Sequence, residues 1–228
     1  GRDGPLLFAE GCGMANLAYG VPFTADTRTN IGSTSKQFTA FAIMLLKEQG
    51  KLSLDDDVRK YIPELPDFGQ TVTIRHLMTH QSGYREFVNL LALAGRMVLT
   101  ADYIDRAEII EIVQRQPELQ NDPGAEFNYN NTAFGLLSMV VERVTDTPFP
   151  EWMRANVFLP LGMENTVVRA SPNQIIENHA QGSLPAPTGG FQVTPDLGAS
   201  MGAGGIYTTV GALARWIDNL QTGGLGGE

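Results

Sequence analysis

Short apolar runs broken by Gly and Asn open the chain, and longer stretches with apolar residues three and four positions apart follow. The opening pattern, over residues 6–23, is typical of strands joined in a hairpin. The later spacing predicts amphipathic helices. The first predicted helix covers 33–49 and stops at Gly50, a short one starts at "SLDD" (53–56) and ends before Pro63, and a third covers 73–80 with Thr73 as N-cap. The next cover 102–116 and the stretch after "NDPGAEFNYNN". Another starts at Thr147 and Pro148, and the last covers about 209–221.

Two of these helices have especially regular apolar faces. The helix after the "NDPGAEFNYNN" loop carries Ala133, Leu136, Leu137, Val140, Val141 and Val144 on one side. The last helix carries Leu213, Trp216, Ile217 and Leu220 on one side. Residues 170–205 are rich in Pro, Gly and Ser, which predicts loop or irregular structure. Both tryptophans, Trp152 and Trp216, fall on apolar helix faces and are predicted core residues.

The order of these elements predicts an α+β fold. Strand signal near the start and helices in the middle fit a helical block inserted into a sheet-bearing domain. We expect residues 1–60 to begin the sheet-bearing domain, 61–195 to form a mostly helical domain, and 196–228 to return to the first domain. An all-α protein with an irregular start is the alternative.

Composition narrows the classes of partner. The chain has 228 residues, 43% of them hydrophobic, and a formal net charge of -9, which argues against nucleic acid or an anionic membrane surface as the main partner. No apolar run reaches the length of a membrane span. Cys12 is the one cysteine, so an internal disulfide and a cysteine-based metal cluster are both excluded.

Ser33 and Lys36 stand three residues apart where a polar, glycine-led cluster, "NIGSTSK", meets the first helix. A serine in the first helical turn lies near the positive end of the helix dipole and near free backbone amides. The residue three positions later lies on the same face, where a neutral amine can take the serine proton. The backbone N–H of Ser33 can serve as one oxyanion donor. The alternative is that Ser33 is an N-cap and Lys36 a solvated side chain.

Tyr129 and Asn131 lie in "FNYNN", between a Pro-Gly turn and the buried helix. A tyrosine can shuttle a proton. The Asn131 amide offers a donor and an acceptor to a substrate amide or to the Lys36 amine. The alternative is a loop tyrosine and an asparagine that caps the next helix.

Together the two motifs resemble the serine β-lactamase-like family, in the branch of class C β-lactamases, penicillin-binding proteins and family VIII-type esterases. The similarity covers most of residues 10–220. It rests on the segments "TNIGSTSKQFTAFAIMLLKEQGKLSLDDDVRKYIPELP", "TVTIRHLMTHQSGY", "PGAEFNYNNTAFGLLSMVVERVTDTPFPEWMRANVFLPLGMENT" and "GAGGIYTTVGALARW".

The resemblance implies a β-lactamase/transpeptidase-like fold, with an antiparallel sheet flanked by helices, an adjoining helical domain and the site between them. It implies Ser33 as acylated nucleophile, Lys36 as its partner, Tyr129 as proton shuttle and Asn131 as a substrate-contacting amide. The family's third element, a strand with Lys-Thr-Gly or His-x-Gly after the late helix, is not found in the chain. We therefore expect the chain to be a piece of a longer protein.

The predicted function is a serine hydrolase that forms an acyl-enzyme on a small ester, peptide or β-lactam substrate. A carboxylesterase or D-amino-acid peptidase is favoured over a dedicated β-lactamase, since nothing in the sequence is peculiar to lactam binding. No cofactor or metal is expected, and the oligomeric state and cellular location stay open. A binding or scaffold protein with the same fold, without catalysis, is the alternative from another class.

Two other motifs allow different chemistry. "GASMG" around Ser200 matches a nucleophile elbow, which needs a preceding strand, a following helix and a later histidine. His76, His80 and His179 all precede Ser200. His76 and His80 are spaced to share a helix face as metal ligands, but Leu77 stands where a zinc protease has its glutamate. Packing or capping is the favoured role for these two histidines.

Overall fold

The computed structural model describes residues 8–96, 104–194 and 201–226. Its strands are β1 (Met14–Asn16), β2 (Val21–Pro22), β3 (Thr29–Asn30), β4 (Val167–Val168), β5 (Ser183–Pro185), β6 (Phe191–Val193) and β7 (Ile206–Thr208). Its helices are α1 (Lys36–Glu48), α2 (Ile74–Met78), α3 (Phe87–Leu93), α4 (Arg106–Gln114), α5 (Asn131–Thr145), α6 (Phe149–Met153) and α7 (Val210–Thr222). A 3₁₀ turn at Gly32–Ser35 precedes α1, another lies at Val58–Lys60, and a π-helical turn at Arg154–Phe158 follows α6.

All strand pairs in the described residues are antiparallel. β7 lies between β3 and β4, with Thr29 opposite Thr208 and Val168 opposite Ile206. β1 pairs with β2, which confirms the hairpin predicted near the start, and β5 pairs with β6. The mixture of helices and antiparallel sheets confirms the predicted α+β class.

Helix α5 is the central element of the core. Every residue from Thr132 to Val141 is buried, and the helix contacts α1, α2, α3, α4 and α6. A helix that is apolar on nearly all sides is stable only when other elements surround it. The predicted apolar face of α5 is therefore confirmed, with Val144 half-buried at its end.

Helix α7 packs on α1 through aromatic rings. The ring of Trp216 lies 4.3 Å from that of Phe38 and 5.0 Å from that of Phe41, measured between centroids. Trp216 is buried as predicted, and so is Trp152. The rest of the predicted apolar face is covered only in part, since Ile217 and Leu220 are more than half exposed. The buried residues of α7 are Ala212, Trp216 and Asn219.

Some predicted helix starts were wrong by a few residues. The Ser53–Asp56 stretch is a turn, and the 3₁₀ turn after it starts at Val58, where the Asp57 carboxylate accepts from the Arg59 N–H. Helix α6 starts at Phe149, so Pro148 is its N-cap and Thr147 lies outside it. The Thr147 hydroxyl instead donates to the carbonyl of Thr145, in the last turn of α5.

Other predicted starts agree with the structure. Thr73 caps α2 by accepting from the His76 N–H, and Thr209 caps α7 by accepting from the Ala212 N–H. The helix predicted over 102–116 is α4, and the first two residues of that prediction lie outside the described residues. The predicted irregular stretch 170–205 also contains the β5–β6 hairpin. Helix α3 was not predicted.

One hydrophobic core joins the three predicted domain stretches. Phe38 from the first stretch, Leu137 from the second and Trp216 from the third belong to the same buried cluster. The boundaries near 60 and 195 stay a prediction. None of the helices within the described ranges is both long enough and apolar enough to cross a membrane.

Candidate active site

Ser33 lies in the 3₁₀ turn directly before α1, with its side chain exposed. Gly32 allows this turn because its φ is +52°, a left-handed conformation that glycine adopts without strain. The Ser33 hydroxyl does not cap a helix, since the cap of the 3₁₀ turn is Ile31 and the cap of α1 is Ser35. The Ser35 hydroxyl accepts from the Ile206 N–H at 3.3 Å and so fixes the turn to β7.

Lys36, the first residue of α1, is buried, with 7% of its surface exposed. Its Nζ donates to Ser33 Oγ at 3.2 Å, to Asn131 Oδ1 at 2.7 Å and to the Ala203 carbonyl at 2.8 Å. An ammonium has three donors, and these three acceptors match them. Lys36 is therefore a fixed part of the site, and the alternative of a solvated lysine is wrong.

Tyr129, in the segment before α5, contacts the same serine. Its hydroxyl donates to Ser33 Oγ at 2.6 Å, and its ring centroid lies 4.8 Å from Lys36 Nζ, within the range of a cation–π contact. About half of the Tyr129 surface is exposed. The hydroxyl of Ser33 thus contacts both an amine and a phenol at a position open to solvent.

Asn131 begins α5, and its neighbour Asn130 is the residue that caps the helix, by accepting from the Ala133 N–H at 2.8 Å. The capping alternative for Asn131 is therefore wrong. Its amide instead lies between Lys36 and Glu86. Nδ2 donates to Glu86 Oε1 at 3.0 Å, and the Asn131 backbone N–H donates to Glu86 Oε2. Because a carboxylate holds Nδ2, the oxygen of the amide faces Lys36.

Glu86 is a site residue that sequence reasoning missed. The carboxylate also accepts from the Val88 N–H at 3.1 Å and so caps α3. The available signal was a charged residue ahead of a short apolar run. This signal did not identify Glu86, because α3 itself was not predicted and because glutamate is not among the preferred N-cap residues.

A glycine-rich loop supplies the third partner of Lys36. Gly202 has a φ of +91°, and its carbonyl accepts from the Thr39 hydroxyl of α1 at 2.8 Å. The Met201 carbonyl accepts from the Ser138 hydroxyl of α5 at 3.1 Å. The loop is therefore tied to both helices, and this places the Ala203 carbonyl over the lysine.

The three histidines have structural contacts. His76 Nδ1 accepts from the Thr73 N–H at 3.3 Å in the cap of α2, and His80 Nδ1 accepts from the Asn130 N–H at 3.0 Å. His179 Nδ1 lies 2.6 Å from the Ile176 carbonyl. Within the described part of the chain, no group of three or more His, Cys, Asp or Glu side chains is arranged to hold a metal ion.

The nucleophile elbow predicted as an alternative centres on Ser200, which lies outside the described residues. After it, Met201–Gly205 turns into strand β7. An elbow needs a helix at this place.

Comparison with known proteins agrees with the fold. The Beta-lactamase family model matches residues 1–228, and the chain belongs to this family. It is 27% identical to a putative penicillin-binding protein, PbpX, of Bacillus subtilis, over 98% of this chain and 54% of that protein. The chain thus spans about half the length of this relative.

Solved structures show the same relationship. The structure of a penicillin-binding protein from Bacillus halodurans is 32% identical with a TM-score of 0.80, over 93% of this chain and 65% of that one. The structure of D-amino acid amidase from Ochrobactrum anthropi, complexed with L-phenylalanine amide, is 26% identical with a TM-score of 0.77. It covers 93% of this chain and 60% of that one. The predicted β-lactamase/transpeptidase-like fold is confirmed.

Proposed function

We propose that the chain is the nucleophile-bearing part of a serine hydrolase that cleaves a small ester or amide through an acyl-enzyme. The observation that carries the proposal is the pair of contacts at Ser33 Oγ, 3.2 Å from the Lys36 amine and 2.6 Å from the Tyr129 hydroxyl. A serine hydroxyl becomes a useful nucleophile when a neighbouring group can take its proton. Here the same oxygen has two neighbours that can take the proton once deprotonated, Lys36 as a neutral amine and Tyr129 as a phenolate.

The proposed reaction has two stages. In the reactive form, Lys36 or Tyr129 has first lost one proton to solvent. Ser33 Oγ attacks the substrate carbonyl carbon while its proton passes to the neutral Lys36 amine or to the Tyr129 phenolate, and the carbonyl oxygen becomes an oxyanion. The oxyanion collapses, the bond to the leaving group breaks, and the proton passes to that group. Water then attacks the acyl-Ser33 ester in the same way and releases the acid. The Ser33 backbone N–H is one proposed oxyanion donor.

Asn131 has a double role in this proposal. Its Oδ1 holds the Lys36 amine next to Ser33, and Glu86 fixes the orientation of the amide. An amide nitrogen carries two hydrogens. One points to Glu86, and we assign the second to a substrate carbonyl or amide near the scissile bond.

We favour a carboxylesterase or a hydrolase of D-amino-acid peptides and amides. Similarity to D-amino acid amidase over nearly the whole chain supports the amide class. A β-lactamase proper is the second candidate, favoured by the similarity to penicillin-binding proteins, whose name records binding of a β-lactam. A scaffold without catalysis does not require an exposed serine hydroxyl bonded to both a buried lysine and a tyrosine.

A substrate panel distinguishes these candidates. We would compare D- and L-amino-acid amides, short p-nitrophenyl esters and a chromogenic cephalosporin, with Ser33→Ala as the inactive control. Faster turnover of esters or D-amides supports the favoured class, and a far faster cephalosporin reaction would replace it with β-lactamase. Tyr129→Phe keeps the ring and removes the hydroxyl, and we expect it to slow acylation by about 10²–10⁴-fold.

A further inference from the structure

His80 lies beneath the phenol of Tyr129 and contacts the aromatic rings around it. Its ring centroid is 4.7 Å from that of Tyr129 with a tilt of 31° between the planes, 5.5 Å from that of Phe127 and 5.0 Å from that of Phe134. The backbone of His80 has a φ of +59°. That conformation is uncommon for a residue other than glycine.

Two hydrogen bonds attach the segment of Tyr129 to this one residue. The Asn128 N–H donates to the His80 carbonyl at 2.8 Å, and the Asn130 N–H donates to His80 Nδ1 at 3.0 Å. These donors immediately precede and follow Tyr129. The ring of His80 therefore packs against the phenol, and the two bonds fix the backbone on either side of Tyr129.

The hydrogen bond from the Asn130 N–H requires the neutral form of the His80 imidazole. Nδ1 accepts a hydrogen bond, so it carries a lone pair and the ring proton is on Nε2. A second proton on the imidazole would occupy Nδ1. It would then oppose the Asn130 N–H and add a positive charge close to Lys36.

We propose that neutral His80 is a positioning residue that holds Tyr129 against Ser33, and that protonation of His80 releases Tyr129 and slows acylation. The inference rests on the proposed function for its effect on rate. Its structural part, the dependence of the Tyr129 segment on neutral His80, does not depend on catalysis.

The surroundings favour the neutral ring. Burial lowers the pKa of His80 below its usual 6.5, and the positive charge of Lys36 adds to this effect. The titratable groups around the ring are Lys36 from α1 and Tyr129 from the segment before α5. Glu86 at the start of α3 joins the same hydrogen-bond network through Asn131.

The lowered pKa of His80 sets the direction in which stability changes with pH. The unfolded chain binds a proton at His80 more readily than the folded chain, so the contribution of this residue to stability decreases as the pH falls below 6.5. The rate of Ser33 acylation should fall at a lower pH, around the lowered pKa at which His80 of the folded protein gains its proton.

The test measures the rate of Ser33 labelling by a fluorophosphonate from pH 4.5 to 8 in the wild type and three variants. His80→Asn keeps an acceptor near Nδ1 and tolerates positive φ, but it does not titrate. His80→Phe keeps a ring and loses the acceptor. We expect the acidic decrease to flatten in both variants, and His80→Phe to slow labelling by about 10–100-fold at pH 7.5.

His76→Asn is the matched control, since burial also lowers the pKa of His76 and this residue lies outside the site. It should keep the wild-type pH profile. A wild-type profile in His80→Asn, or loss of the acidic decrease in His76→Asn, would overturn the proposal.

A second measurement uses the wild type alone and does not need activity. The Asn130 amide proton and the Tyr129 ring protons are followed by NMR as the pH is lowered. Both signals should shift together with the His80 ring, because one proton ends the Asn130 hydrogen bond and frees the phenol. If Asn130 and Tyr129 do not respond while His80 titrates, the positioning role is wrong. If Ser33 does not label but these shifts occur, the proposed function fails and the positioning role stands.

Discussion

The Lys36 amine donates to the Asn131 amide oxygen at 2.7 Å, and this bond joins the first residue of α1 to the first residue of α5 across 95 positions of sequence. Both helices thus direct their N-terminal ends toward one cation. A helix N-terminus disfavours positive charge. The charge is held by acceptors that converge from two helices and a loop, and these contacts are the basis of the predictions below.

Replacement of Lys36 tests whether the buried amine serves chemistry or stability. Lys36→Met keeps the volume and removes the amine. We expect Ser33 labelling to slow by at least about 10²-fold, because the hydroxyl loses one of the two groups proposed to take its proton. Lys47→Met, at the exposed end of the same helix, is the control and should label at the wild-type rate. Equal labelling of the two variants would show that Lys36 is not part of the reaction.

Glu86→Gln tests the carboxylate behind Asn131. The glutamine amide can replace one acceptor oxygen, but its NH₂ group faces a donor from Asn131 or Val88. We expect the free energy of unfolding to fall by about 1–3 kcal/mol, and labelling of Ser33 to slow because the Asn131 amide loses its fixed orientation. Urea unfolding and labelling rates check this. Glu48→Gln, exposed at the end of α1, should change neither quantity.

Gly202→Ala tests the loop that presents the Ala203 carbonyl. A Cβ at Gly202 would overlap the Phe134 carbonyl oxygen and lie 2.7 Å from the Ser138 Cβ. We expect the loop to be displaced from Lys36, with lower stability and slower labelling. Gly205→Ala is the control, because Gly205 also has positive φ but its Cβ would be no closer than 3.9 Å to the Arg169 carbonyl oxygen.

The difference between these two glycine variants separates the steric clash from backbone strain. Strain alone costs about 1–3 kcal/mol and applies to both positions. Equal loss in the two variants, measured by urea unfolding, would mean that close packing at Gly202 does not position the loop.

Asp56 gives a prediction for acid stability away from the site. Its carboxylate accepts from the Tyr61 hydroxyl at 2.5 Å, the Ser53 N–H at 2.8 Å and Lys60 at 3.0 Å, and these contacts lower its pKa to about 2. The stabilisation is fully present above the unfolded pKa near 4 and is lost as the pH falls toward 2. Asp56→Asn should therefore reduce stability at pH 6 more than at pH 2.5.

Urea unfolding at the two pH values checks the Asp56 prediction. Asp55→Asn is the matched control, since the Asp55 side chain is mostly exposed and has one ion pair, with Arg75. The control should show little dependence on pH. A constant loss for Asp56→Asn at both pH values would contradict the proposed linkage.

Much of the site could be predicted because its side chains lie in two local motifs. Ser33 and Lys36 are one helical turn apart, and Tyr129 and Asn131 alternate around the start of a strongly periodic helix. The resemblance to a known family supplied what local spacing does not contain, namely that the two motifs meet. The distances now show that they do.

The remaining parts of the site depend on contacts between distant segments. The Ala203 carbonyl is a backbone group, so no residue type indicates its role. Glu86 acts from the start of a seven-residue helix, too short for a clear periodic pattern. His80 was read as a packing or capping residue, and only the folded chain shows which ring and which amide it contacts.

The most direct test of the central claim is mass spectrometry of the protein after reaction with a fluorophosphonate or a fluorescent penicillin. The experiment compares the wild type with Ser33→Ala, and circular dichroism confirms that both are folded. We expect one adduct, on the peptide that contains Ser33, and none in the variant. A folded wild type without an adduct, or an adduct that persists in Ser33→Ala, would contradict it.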